Sequence, residues 1–269
     1  MSVISIPRLP DQVNVNFGPV DAIADVILRT DREVRDAGIR LSLSSDFAEL
    51  ERANELNRAD WYPLMPNFDR RQCALGPTNA FWLKGIDRHG DVVLTHAVRL
   101  YTLGRSSLKN EIETLRFYYD DPEPALSRGM RAEASAPMAS EVSGRVSYSG
   151  TLWVRSDYRG FGLARLVPAL SRVIALTTWY PSFHTCFVSK AMVDKGMGRV
   201  YGYSNIQSAV RIWSSLPSFQ HFGSMADFTF CWVTTEEAEA AAEALASRRH
   251  DGVGIGLERQ RGDDARVVA

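Results

Sequence analysis

Apolar positions along the chain change period several times, and each change marks an element. Ile23, Val26, Ile27 and Val34 recur at helical spacing within residues 21–37, and Gly38 stops the run. Residues 39–43 alternate as a short strand. Asp46 with Glu49 three residues on is a capping box that opens a helix to about Arg58. Residues 59–80 are irregular and rich in Trp, Tyr, Pro and Met. Two alternating runs, 80–86 and 91–101, flank Asp87-Arg-His-Gly90 and predict a hairpin. Residues 107–118 read as a short helix, and a Pro-, Ala-, Ser- and Glu-rich stretch, 120–144, follows. Further strands are predicted at 145–154, 183–188 and 227–233, with a helix from Gly162 to about Thr177 and a helical or looped piece at 190–201. Thr234 and Glu237 cap an Ala/Glu helix ending at Arg248-Arg-His250 and Gly252, and the tail 251–269, with its Gly252-Val-Gly-Ile-Gly256, reads as irregular.

Composition narrows the class. The 269 residues allow one large domain or two small ones, and 45% hydrophobic with 23% charged residues is enough for a sizeable core. Lys+Arg (31) and Asp+Glu (32) nearly cancel, so the basic excess of a general nucleic-acid binder is absent. Cys73, Cys186 and Cys231 lie far apart without a CxxC pair, which points to reduced thiols in a cytoplasmic protein and to neither a disulfide framework nor a metal site. The N-terminus lacks a basic segment followed by an apolar one, so no secretory signal is expected. Arg165, Pro168 and Arg172 interrupt the most apolar stretch, 163–180, so no membrane span is expected.

The chemistry concentrates in residues 150–170, where an apolar strand enters a Gly-containing turn that opens an apolar helix. The first N–H groups of that helix lack internal partners, and its positive dipole end points at the turn. Gly160 and Gly162 allow close backbone approach, and Arg155, Arg159 and Arg165 add positive charge. A phosphate or pyrophosphate is the expected guest. No Gly-Lys-Ser/Thr is present for a Walker loop, and Arg165 stands where a dinucleotide fingerprint needs glycine. What does match, Arg159-x-x-Gly162-x-Ala164 after an apolar strand, resembles the pyrophosphate loop of the GNAT superfamily of N-acetyltransferases.

The resemblance extends over most of the chain. It implies an α/β (α+β) fold with a mixed, splayed central sheet flanked by helices. Residues 39–235 would form the acyltransferase domain with an insertion at 105–144, preceded by an N-terminal helical extension (1–38) and followed by a C-terminal helix and tail (236–269). Acetyl-CoA would enter as co-substrate, without a metal, between strands 145–154 and 183–188. The N–H groups of Phe161, Gly162, Leu163 and Ala164, beside Arg159 and Gly160, would hold its pyrophosphate. Leu152, Trp153 and Val154 would pair with the pantetheine arm, and Gly150 would mark the bulge that splays the strands.

The implied activity is transfer of an acetyl group to a primary amine of a small molecule or peptide by direct attack on the thioester, in which positioning supplies much of the rate. Alternatives are a longer acyl chain from CoA or an acyl carrier protein, and a non-catalytic acyl-CoA-binding protein. The partners are therefore acyl-CoA and an amine acceptor, with no nucleic acid and no membrane, and a homodimer is compatible with the sequence. An oxyanion donor would be a backbone N–H near Val154. The base is open among His96, Tyr148, His184, Glu133, Glu141 and water. Tyr201 is the candidate acid for the leaving thiolate, displaced by three from the family's usual place, Gly198. The family's usual Asn is absent near Ala191. Cys186, among apolar neighbours, reads as a buried inert thiol. Trp61, Tyr62, Met65 and Phe68, with Asp69 and Arg70, are candidate acceptor-wall residues or loop packing. Lys190, Lys195 and Arg199 are candidates for the CoA 3′-phosphate or a solvated face.

Overall fold

A computed structural model describes residues 7–214 and 225–247 of the chain. In chain order its helices are α1 (Leu9–Gln12), α2 (Val20–Asp36), α3 (Phe47–Leu56), α4 (Leu108–Glu113), α5 (Glu123–Ser127), α6 (Leu163–Trp179), α7 (Lys190–Val193), α8 (Met197–Val200) and α9 (Thr235–Ser247). Its strands are β1 (Arg40–Ser44), β2 (Ala80–Ile86), β3 (Val92–Thr102), β4 (Arg131–Ala134), β5 (Arg145–Val154), β6 (Phe183–Ser189), β7 (Asn205–Trp213) and β8 (Met225–Thr234). The strands form one sheet in the order β1-β2-β3-β5-β6-β8-β7-β4. Every neighbouring pair is antiparallel except β5–β6, which is parallel. This is the mixed sheet flanked by helices that the sequence implied.

Local chemistry accounts for many of the boundaries. Gly38, at φ 83°, releases the chain from α2 toward β1. Asp46 caps α3 by accepting from the Glu49 N–H at 3.1 Å. Asp87 accepts from the N–H groups of His89 and Asp91 and so closes the β2–β3 turn. Thr234 and Glu237 cap each other reciprocally at the start of α9. The end predicted for that helix, from Arg248 to Gly252, and the tail after it lie outside the described residues.

Two apolar clusters sandwich the sheet. One packs α2, α6 and α9 against Leu41, Leu83, Val98, Leu152 and Val188. The other is aromatic and joins Trp61, Phe68, Tyr101, Phe117, Tyr148, Trp153, Phe187 and Phe230 under α3, α4 and α5. The insertion is more ordered than its composition suggests. It leaves beside β3, crosses the aromatic face and pairs β4 with β7 at the far edge of the sheet. The helix predicted at 107–118 ends at Glu113, because Leu115 adopts φ 62° and the Phe117 N–H turns back onto the Glu111 carbonyl.

Candidate active site

The site begins where β5 and β6 part. Their parallel ladder runs from Val146↔Phe183 to Ser149↔Cys186 and stops. Beyond it, β6 continues with β8 to Ser189↔Phe228, while β5 continues with β3 to Leu94↔Val154. The cause is a bulge in β5: Gly150 pairs with Ala97 and Trp153 with Thr95, so three steps of β5 oppose two of β3. The left-handed residue of this bulge is Thr151, at φ 56°, and its carbonyl accepts from the Thr95 hydroxyl at 2.9 Å. Gly150 beside it has a different task. A Cβ there would stand 3.0 Å from the Phe68 ring.

The extra residue also reverses the side-chain alternation. Val146 and Tyr148 face the aromatic cluster, yet Trp153 does so too, while Leu152 and Val154 face α6. Trp153 stacks on Trp61, with centroids 4.9 Å apart and an 8° interplanar angle. Arg155 donates its N–H to the Val93 carbonyl, on the β3 side. Alternation therefore turns the polar groups of Val154 and Leu152 toward the fork. The Val154 carbonyl indeed accepts from Arg159 Nε at 3.0 Å.

The loop after β5 is held from outside. Arg155 bonds Asp87 and Asp157, and residues 156–158 form one 3₁₀ turn. Gly160 (φ 87°) and Gly162 (φ 72°) are left-handed, and nothing lies within 4 Å of a Cβ built at either. Gly162 is the N-cap of α6, with no side-chain cap and no acidic residue in the first turn. The N–H groups of Leu163 and Ala164 have no acceptor within the helix by position. Phe161 and Arg165 are exposed beside them.

The predicted residues divide accordingly. Leu152, Val154, Gly160, Phe161, Gly162, Leu163 and Ala164 lie along one path, from the fork to the start of α6. Trp153 is buried on the aromatic side. Arg159 turns inward, pairing with Asp60 at 2.7 Å as well as with Val154. Of the three catalytic candidates, His96 and Tyr201 both lie on the α6 side beside Arg172, and Tyr148 lies apart from them. Tyr148 lies on the aromatic face, fully enclosed. His96 lies opposite the bulge beneath α6, its Nδ1 2.7 Å from Ser171 Oγ, and burial with the nearby Arg172 charge pushes its pKa down to about 3. Tyr201 follows α8 on the α6 side, and its buried hydroxyl has no hydrogen-bond partner.

Of the other candidates, His184 and Cys186 also lie near Arg172. His184 pairs with Ser147 Oγ at 2.9 Å, and burial and Arg172 push its pKa down to about 3 as well. Glu133 and Glu141 are exposed on the insertion, Glu133 at the far sheet edge. Cys186 is buried, and burial raises its pKa. Lys190 pairs with Asp194, and Lys195 and Arg199 are exposed. Trp61 and Phe68 pack the 59–80 loop onto the sheet, and Arg70 pairs with Glu51. Outside that loop lies a cavity of about 470 Å³, lined by Glu55, Arg58, Leu64, Pro66, Tyr119 and Arg128 among others. No group of three or more potential metal ligands occurs among the described residues, and none of their helices is long and apolar enough to cross a membrane.

Sequence reasoning overlooked Asp60, Ser149 and Arg172, and gave Tyr203 no chemical part. Tyr203 donates to or accepts from Ser149 Oγ at 3.0 Å, at the last rung before the fork. The available signal was Arg172 itself, an arginine in the buried middle of α6.

No protein-family model matches this sequence, and no curated protein matches it either. Solved structures similar to it include FeeM, an N-acyl amino acid synthase from uncultured soil microbes (14% identity, covering 78% of this chain and 97% of that one, TM-score 0.44). Another is NAA60 of Arabidopsis thaliana in complex with acetyl-CoA (12%, 73% and 99%, TM-score 0.44). A third is the spermidine N-acetyltransferase of Vibrio cholerae (8%, 74% and 95%, TM-score 0.42).

Proposed function

We propose that the protein is an acyl-CoA-dependent N-acyltransferase that moves an acetyl group from acetyl-CoA to a primary amine. The observation that supports this best is the fork. It offers an unpaired strand edge at Leu152–Val154 that leads directly into a glycine loop and the uncapped start of α6. An extended amide-bearing arm ending in a pyrophosphate fits that sequence of groups. The backbone of Leu152 and Val154 bonds the pantetheine amides, and the N–H groups of Phe161 to Ala164 take the pyrophosphate. Freed by the phosphates, Arg159 exchanges Asp60 for the ligand.

Such a placement brings the thioester to the bulge. The amine attacks the carbonyl carbon, a C–N bond forms and the C–S bond breaks. The Tyr201 hydroxyl, buried and unpartnered beside Cys186, donates a hydrogen bond to the departing thiolate. Water takes the proton of the amine, because burial and the Arg172 charge leave His96 a weak base with Nδ1 engaged, and Tyr148 lies on the other face. Phe68 and Tyr148 fill the aromatic side of the bulge at Gly150, which favours acetyl over a long acyl chain. The three unbridged cysteines agree with a cytoplasmic setting.

Calorimetric titration with acetyl-CoA and CoA, followed by a thiol-release assay over an amine panel, tests this reading. Binding with thiol release on at least one amine is expected. Absence of CoA binding overturns it, while binding with no turnover on any amine points to an acyl-CoA sensor.

A further inference from the structure

Arg172, on α6, is only 7% exposed and lies between the helix and the sheet. No ion pair joins it to a carboxylate among the described residues. One terminal nitrogen donates to the Tyr201 carbonyl at 2.7 Å, and its guanidinium carbon stands 4.3 Å from the centroid of the Tyr203 ring. Its buried Nε has no acceptor. Buried guanidinium groups are ordinarily matched by an opposite charge, because one carbonyl and one ring face compensate only part of the desolvation. The groups around it supply no anion: His96 on β3 and His184 and Cys186 on β6 face it, with Tyr201 and Tyr203 from the turn after α8.

The place of this charge is specific. Tyr203, on which it lies, bonds Ser149 Oγ at 3.0 Å, and Ser149 opposite Cys186 is the last rung before β5 and β6 separate. Gly202 between the two tyrosines has φ 81°, and a Cβ there would stand 3.0 Å from an Arg172 nitrogen, so the turn is fitted closely around the guanidinium. Resting on the proposed acyltransfer, we infer that Arg172 is a positioning residue whose unmatched charge stabilises the thiolate expelled at the fork, acting through the Tyr201–Tyr203 turn that it grips. As the C–S bond breaks, the electron pair goes to sulfur, the Tyr201 hydroxyl donates a hydrogen bond to it, and the proton shed by the amine reaches it through solvent.

The test needs no acceptor. CoA and desulfo-CoA share every phosphate and amide and differ in the thiol. A free thiol titrates at about 8.5 or above, and one held near Arg172 titrates lower. The affinity of the wild-type protein for CoA, relative to desulfo-CoA, therefore rises by roughly tenfold from pH 7 to pH 9, one pKa unit corresponding to one factor of ten. Thiolate absorbance of bound CoA develops over the same range. The two histidines are already neutral there, and burial keeps Cys186, Tyr201 and Tyr203 protonated, so none of them mimics the signal. In Arg172→Gln the pH dependence disappears while desulfo-CoA still binds, and Arg172→Lys restores part of it. Equal, pH-independent binding of both ligands by the wild-type protein overturns the inference and leaves the acyltransferase reading intact. Failure of both to bind overturns that reading instead. Arg172 as a mere clamp predicts parallel losses for the two ligands in both variants.

Discussion

The first half of β5, Arg145 to Ser149, and the second, Gly150 to Val154, are both buried apart from the exposed Arg145, but their backbones are treated differently. The first half is paired on both sides, by β3 and by β6. The second keeps β3 and loses β6, and one extra residue at the bulge separates the two regimes. A buried backbone amide without a partner is costly, so an open edge inside the protein is a demand for hydrogen bonds. Arg159 meets it at the Val154 carbonyl, and a pantetheine arm would meet the rest. The candidate site is thus made by withholding a strand, with side chains left to stabilise what the missing ladder would have held.

Removing that side-chain support is the largest expected effect. Trp153 is 1% exposed and stacked on Trp61. Trp153→Ala should destabilise the fold by about 3–5 kcal/mol in urea unfolding, the usual cost for a buried aromatic. Trp61→Ala should reproduce much of this, and a double-mutant cycle should assign about 0.5–1.5 kcal/mol to the stack itself. Additive losses would mean that the second half of β5 is held by something other than this pair.

Acid probes both halves together, since each half has a buried histidine opposite it. His184 pairs with Ser147 in the first half, and His96 faces the bulge in the second. Each has its pKa pushed down to about 3 by burial and the Arg172 charge, below the 6.5 of an unfolded chain. The unfolded state therefore binds more protons between these values, so stability is fully present above pH 6.5 and is lost as pH falls toward 3. Each histidine should remove up to about 1.4 kcal/mol per pH unit in that window. His96→Asn and His184→Asn should each flatten the urea-midpoint profile from pH 7 to pH 5 by about half. A flat profile for the wild-type protein would show that both rings take up protons in the folded state.

These two regions were unequally legible in the sequence. The glycine loop and the start of α6 were plain, because Gly160 and Gly162 report backbone needs that only glycine meets cheaply. The bulge was half legible: Gly150 marked its place, but the left-handed residue is Thr151, and Gly150 owes its identity to the Phe68 ring. Strand β7 was hidden because the polar Gln207-Ser208 pair splits its apolar positions, and the register shift there puts Ile206 on one face of the sheet and Val210 and Ile212 on the other. Strand β4 carries the short run Arg-Ala-Glu-Ala, whose edge position needs no apolar alternation. Arg172 was legible only as an interruption of an apolar helix. Its partners, the Tyr201 carbonyl and the Tyr203 ring, come from another element, and no local pattern announces such a contact.

The smallest effect tests whether the loop beyond the open edge is shaped for a ligand or merely for a turn. Gly162 has φ 72° at the N-cap of α6, and a Cβ there would meet nothing within 4 Å. Gly162→Ala therefore adds no clash, and its cost is conformational, about 1 kcal/mol for a left-handed L-residue. If the space over Gly162 is where a pyrophosphate approaches the backbone, CoA affinity should fall by roughly tenfold, about 1.4 kcal/mol of binding lost beyond the change in stability. Urea unfolding and calorimetry on the same variant separate the two losses. A stability change with unaltered CoA affinity would show that this glycine serves the turn alone, and would leave Gly160, at φ 87° with equally open space, as the position at which ligand and backbone meet.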